Sequence, residues 1–410
     1  MRINLKNLRP REPWQRNLAV IWLAEFVALS GFSVYSPFMP YYVQQLGVNR
    51  LEEVEFWSGL LMTSNAVAMA AMAPLWGSLA DRYGRKAMVV RAMFGGAVGT
   101  ALMGFTHNVG QLVALRAVQG ALAGTVSAAT TLVVSGTPPE RRGYALGLLQ
   151  TAVYLGNSVG PMLGGLIADH VGYRATFWVT GGFLFTGGVL VAALVHEKFT
   201  SPEKTGSGET SGLWDGLVMV LRTRALMIVF GIRVLMRMGM RTIGPMLPLF
   251  VQEIAAPGTK IASLTGNIQG FAAATSAVSA VVLGRVSDKI GYRRILLVCG
   301  TAACVFSGLM VGVQTPTQLL ILRALTGAAM GGILASISAL LATLAPEDRF
   351  GAVYGADTSL VSAANAVAPM IGFALAASWG LSRVFLGAAV MYGVATAAVA
   401  AGIRGNTSKT

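Results

Sequence analysis

Apolar residues run in long unbroken stretches along this chain, and polar residues gather in short punctuation between them. Twelve stretches stand out, at about 18–43, 56–80, 87–106, 110–134, 143–168, 173–195, 225–252, 262–286, 293–313, 316–343, 351–377 and 382–402. Each is long enough to cross about 30 Å of hydrocarbon as a helix. The stretches do not alternate with a period of two, which argues against a β-barrel. The pattern predicts an all-α membrane protein of twelve transmembrane helices.

The pattern is also written twice. SPFMPYYVQ (36–44) lies over GPMLPLFVQ (244–252), and GSLADRYGRK (77–86) over GRVSDKIGYR (284–293). LRAVQG (115–120) lies over LRALTG (322–327), and GNSVGPMLGG (156–165) over ANAVAPMIGF (364–373). Four matches in order, at offsets of 207 or 208 residues, point to an internal duplication. The expected layout is two pseudo-symmetric six-helix bundles, 1–195 and 225–410, facing one another across a cavity. A cytoplasmic linker at 196–224 joins them; it carries the flexible TSPEKTGSGETSG and then LWDGLVMVLRTR, which reads as an amphipathic surface helix.

Composition agrees: 54% of residues are hydrophobic and only 12% charged, with a mean hydropathy of +0.63. The net charge of +14 does not require nucleic acid. Of the 31 Lys and Arg, 22 fall on one side of the predicted spans, four on the other (Arg50, Arg174, Lys260, Arg383) and five within spans. That bias predicts a cytoplasmic membrane location with both termini cytoplasmic. The basic start is followed by a span too long for a signal peptide, so it reads as a retained first helix. Cys299 and Cys304 read as core residues. With three His and no ligand spacing, no metal is expected, and no nucleophile–base constellation or cofactor loop suggests an enzyme.

Several of these motifs resemble the Major Facilitator Superfamily over the whole chain. The Gly77–Lys86 loop is similar to its loop-2–3 signature, R-x-x-Q-G at Arg116–Gly120 to its fourth-helix proton-linked motif, and Gly156–Gly165 to the fifth-helix motif of the drug:proton antiporter branch. The resemblance implies the fold of that family and alternating access driven by the proton gradient, with no other cofactor. Its expected partners are a small-molecule substrate, protons and the lipid bilayer, with the protein acting as a monomer.

In the 77–86 loop, Gly77 suits close helix approach and Gly84 a tight turn. Asp81 can accept from Arg82, Arg85 or a neighbouring helix N-terminus as a charge latch for the outward-open state; Asp288 and Lys289 offer the same chemistry in the second half. The alternative is a set of topogenic charges. Gly156, Gly160 and Gly164 recur every four residues beside Pro161 and Gly165, a flat face expected to slide on a helix of the opposite half; generic small-residue packing also explains it.

Arg233, Arg237 and Arg241 share one helix face, and against lipid they would cost on the order of 8–10 kcal/mol, so that face is expected to look into an aqueous cavity. The acids within the spans are Glu25 and Asp357. Subtracting the repeat offset from Arg233 gives Glu25, so a Glu25–Arg233 ion pair across the axis is expected. Arg cannot deprotonate, so Glu25 first and Asp357 second are the expected proton carriers; the resemblance of the Arg116–Gly120 motif implies that Arg116 responds to the carrier. The cavity is expected to be lined by Glu25, Phe32, Tyr35, Gln119, Gln150, Asn157, Arg233, Arg237, Arg241, Gln269, Asp357 and Asn365. Together these readings predict a proton-coupled exporter of drug-like amphiphiles, with acidic ones favoured by the surplus of arginine. The alternatives are an exchanger of organic anions or phosphate esters gripped by Arg233 and Arg241, and a membrane sensor that binds without transporting.

Overall fold

A computed structural model describes residues 12–197, 224–344 and 350–402. Among them the chain is helical and contains no strand. The first half holds α1 (Pro13–Tyr35), the short α2 (Met39–Gln45), α3 (Leu51–Tyr83), α4 (Arg85–Met103), α5 (Val109–Leu122), α6 (Thr125–Gly136), α7 (Arg142–Val171) and α8 (Tyr173–Leu194). The second holds α9 (Arg224–Ile243), α10 (Leu247–Ile254), α11 (Ile261–Ile290), α12 (Tyr292–Leu309), α13 (Pro316–Leu344), α14 (Phe350–Trp379) and α15 (Arg383–Gly402). Most of the expected linker, including its amphipathic segment, lies outside the described residues.

Both halves break their first span at the same place. Pro37 and Pro40 part α1 from α2, and Pro245 and Pro248 stand where α9 gives way to α10, because proline removes the donor that a continuous helix needs. The α3–α4 and α11–α12 junctions are single residues, Gly84 and Gly291, at φ of 92° and 93°. Only glycine takes that conformation at little cost.

Span four departs from the sequence expectation. Instead of one helix over 110–134 it forms α5 and α6, with Gly124 at φ 114° between them. The carbonyls freed by the break find donors: Trp76 Nε1 gives to Ala121 O at 2.6 Å, and Arg91 Nη2 to Ala123 O at 3.5 Å. The Arg91 guanidinium lies 3.6 Å over the Trp76 ring, so one side chain secures the other. Its counterpart α13 runs unbroken.

Ten stretches of the described residues are long and apolar enough to cross a membrane, making this a multi-pass membrane protein. The other two expected spans are α7, diluted by Gln150, Asn157 and its glycines, and α9, which carries the three arginines. The two stretches that fall short are thus the ones with polar groups to place. Within the first half α1 packs on α7 and α8, and within the second α9 packs on α14 and α15. The halves meet along two seams, α7 against α11 and α3 against α14.

Candidate functional site

The seams are tight toward the end that carries Arg50, Arg174 and Lys260, here the Lys260 end. A Cβ placed on Gly266 of α11 would sit 2.1 Å from Pro161 O, and one on Gly165 of α7 would sit 2.5 Å from Ala262 O. Close backbone approach lets Ser158 Oγ donate to Gly270 O at 3.0 Å. On the other seam, Thr63 Oγ1 donates to Ala366 O at 2.7 Å and Phe56 meets Phe373 edge to face at 5.5 Å. Beyond these, Tyr41 Oη donates to Pro248 O at 2.6 Å, Gln44 pairs with Gln252 at 3.0 Å, and Lys260 Nζ lies 3.0 Å from His170 Nε2. Asp169, at the end of α7, accepts from the backbone N–H of Ala262 and Ser263 at 3.3 and 2.7 Å, capping α11 from the opposite half.

The opposite, Gly84 end is loose. A Cβ on Gly77, Gly143 or Gly147 would meet nothing within 4 Å. Among the described residues, the hydrogen bonds joining α3 to α14 and α7 to α11 are those of Thr63, Ser158 and Asp169, away from that end. Gly77 therefore does not mediate close helix approach in this state, contrary to expectation, while Gly84 does make the tight turn. Arg82 is exposed and turns over the Tyr83 ring, and Arg85 and Lys289 form no ion pair among the described residues. The side chains of Asp81 and Asp288 lie outside the described residues.

The glycine face of α7 also differs from expectation. Gly156, Gly160 and Gly164 lie against α1 of their own half, where a Cβ on Gly164 would fall 1.9 Å from Val34 O. The surface meeting the opposite half is a neighbouring strip made of Ser158, Pro161, Met162 and Gly165. A helix buried between two partners needs small residues toward both, and the four-residue period served the nearer one.

The expected Glu25–Arg233 pair does not form. Glu25 is fully buried, and neither carboxylate oxygen has a hydrogen-bond partner. Glu25 is thus shut off from the space between the halves, and Phe32, half-buried, turns its ring tip toward Gly96 of α4. Arg233 instead pairs with Asp357 of α14, Nε to Oδ1 at 2.9 Å, and reaches Ser338 Oγ at 3.5 Å. Equal depth in a repeat does not make two residues neighbours; α14, not α1, is the helix packed on α9.

Tyr35, Arg116 and Gln119 leave the cavity for the interior of the first half. Arg116 is 7% exposed and donates to Tyr35 Oη and Gln119 Oε1. Gln119 is held in turn by Asn65 Nδ2 at 3.3 Å and reaches Thr100 Oγ1 at 3.3 Å. A guanidinium in an apolar bundle recruits neutral acceptors when no acid is near. Asn157 is occupied by Ser33 Oγ at 2.8 Å, while Gln150 is exposed and Gln269 half-buried.

What remains facing the space between the halves is the α9 face. Arg237 Nε and Arg241 Nε both donate to Asn365 Oδ1 of α14, at 3.0 and 3.1 Å, and Arg241 is exposed. From the first half, Tyr154 lies within electrostatic reach of Arg233 and Arg237, and Arg116 within reach of Arg241. The site is a basic cleft with one carboxylate against three guanidiniums. Sequence reading named its arginines, Asp357 and Asn365 but missed Tyr154 and Asp169. Asp169 had a signal, an acid at the very end of a span facing the lone Lys260 across the gap.

The family model described as Major Facilitator Superfamily matches residues 21–254 and again 229–409. The chain is 35% identical over 372 residues to the multidrug resistance protein MdtG of Salmonella dublin, covering 91% of each chain, and equally to that of Salmonella typhimurium. Among solved structures it is similar to the nucleoside transporter NupG, with a TM-score of 0.76 at 11% identity over 94% of this chain and 100% of that one. A bacterial homologue of the lysosomal transporter Spinster gives a TM-score of 0.74 at 13% identity over 95% and 97%.

Proposed function

This chain belongs to the Major Facilitator Superfamily, and within it we propose a transporter rather than an enzyme: a proton-coupled exporter of drug-like amphiphiles working by alternating access. The relatives named as multidrug resistance proteins support the cargo class. The tight Lys260 end and loose Gly84 end support one of the two access states. By the distribution of basic residues the Gly84 end faces the cytoplasm, which makes this the inward-open state, ready to load cargo from the cell.

The observation that carries the coupling is Glu25, a fully buried carboxyl with no partner on either oxygen. Guanidiniums do not release protons, and Asp357 is committed to Arg233. Between Glu25 and Asp357, Glu25 is thus the one that can change charge without first breaking an ion pair. Substrate and proton then alternate: a proton taken up by Glu25 favours the return to the inward-open state, and its release accompanies export.

The test is counterflow in proteoliposomes under an imposed pH step. Glu25→Gln is expected to keep substrate exchange and lose the response to the step, while Asp357→Asn keeps the response. A pH response that survives in Glu25→Gln overturns the assignment.

A further inference from the structure

Two carboxamide or carboxylate side chains on one face of α14 meet the three arginines of α9, and they treat them differently. Asp357 neutralises Arg233 at 2.9 Å. Two turns on, Asn365 receives both Arg237 and Arg241 on a single oxygen, at 3.0 and 3.1 Å. An aspartate at 365 would accept the same two Nε hydrogens in stronger, charge-assisted bonds. The chain uses the neutral isostere, which aligns the guanidiniums and leaves their charge in place.

That arrangement is loaded. Arg237 and Arg241 repel each other, and Arg233 adds to the repulsion on Arg237. Each uses its Nε on Asn365; Arg241 is exposed and Arg237 half-buried. The exposed Arg241 guanidinium can therefore meet a ligand, and Arg116, buried in the first half, adds a further positive charge within electrostatic reach of it. A carboxylate or phosphate can accept from both guanidiniums and relieves their repulsion, whereas a cation is opposed.

We propose that Asn365 sets the charge selectivity of this cleft, holding Arg237 and Arg241 as a fork for the carboxylate or phosphate group of an amphiphile. This rests on the transporter reading above and adds the sign of its substrate. Asn365 acts as a positioning residue, since the arginines make the contact.

The experiment uses three ligands with one ring system: 1-naphthaleneacetate, its uncharged amide, and the (1-naphthylmethyl)trimethylammonium cation. Binding to the purified full chain is read by quenching of intrinsic tryptophan fluorescence, without a proton gradient or flux. In the parent protein the acetate binds best. Asn365→Asp is expected to weaken the acetate roughly tenfold, leave the amide unchanged and strengthen the cation. Asn365→Ser, which keeps the charge but loses the alignment, weakens the acetate less and does not favour the cation; it also serves if Asn365→Asp fails to fold. An equal loss for all three ligands marks Asn365 as merely structural and overturns the proposal, as does an acetate affinity unmoved by either variant. A pH response that survives in Glu25→Gln, with anion discrimination intact, sinks the coupling reading alone.

Discussion

Two helices in this molecule start under a carboxylate that takes two consecutive backbone N–H groups. At α4, Glu197 accepts from Arg85 N at 3.0 Å and Lys86 N at 2.8 Å. At α11, Asp169 accepts from Ala262 N and Ser263 N at 3.3 and 2.7 Å. The chemistry is the same, but Glu197 directly follows α8 and caps a helix of that same half, whereas Asp169 reaches from one half to the other. On the proposed alternating-access cycle, the first contact persists in every state and the second is made only while the Lys260 end is shut. The comparison separates interactions that hold the protein together from those that decide which end is open.

The sharpest way to break it is to force the shut end apart. Gly266→Ala puts a methyl group 2.1 Å from Pro161 O on the other half, and a backbone carbonyl has little room to yield. The expected cost is about 3 kcal/mol in this state, relieved by separating the halves. Thiol labelling of a cysteine introduced at Gln44, which now pairs with Gln252 at 3.0 Å, should rise sharply.

Removing Asp357 strikes within the second half alone. Asp357→Asn leaves Arg233, whose side chain is 22% exposed, without its counter-charge, an expected loss of about 2–3 kcal/mol read as a lower melting temperature in detergent. Labelling at Gln44 should not change. A shift there would mean that the pair also senses which end is open.

The fold was largely legible because its signals are redundant. Long apolar stretches, doubled at an offset of about 208 residues, and a turn glycine at Gly84 all pointed to one architecture. The site was legible only in its residue types. Arg233 reads as needing an acid, but depth along a repeat does not say which way a helix is turned, so the arithmetic chose Glu25 where packing chose Asp357. The break at Gly124 hid because its freed carbonyls are served by Trp76 and Arg91, residues far away in sequence. Arg116 shows the same limit: it reads as a cavity charge but is solvated by Tyr35 and Gln119 inside its own bundle.

The two carboxylate caps give the most direct pair of variants. Asp169→Asn and Glu197→Gln each exchange charge-assisted bonds for weaker ones, an expected loss of about 1–2 kcal/mol apiece. Glu197→Gln should lower the melting temperature and leave labelling at Gln44 unchanged. Asp169→Asn should raise that labelling, with a smaller effect on melting. Equal behaviour of the two variants would erase the distinction between folding contacts and gating contacts.

Gly77 is expected to give the smallest effect and tests the other end. In this state a Cβ there meets nothing within 4 Å, so Gly77→Ala removes backbone freedom from the interior of α3 at no steric cost. Stability should rise slightly, by about 0.5–1 kcal/mol. Alternating access requires the Gly84 end to close in turn, and a seam built there like the one at the Lys260 end would bring a backbone against residue 77. The same substitution should then slow transport while raising the melting temperature. If transport is unaffected, the two ends close by different means, and the glycine-to-backbone packing at Gly266 has no counterpart across the membrane.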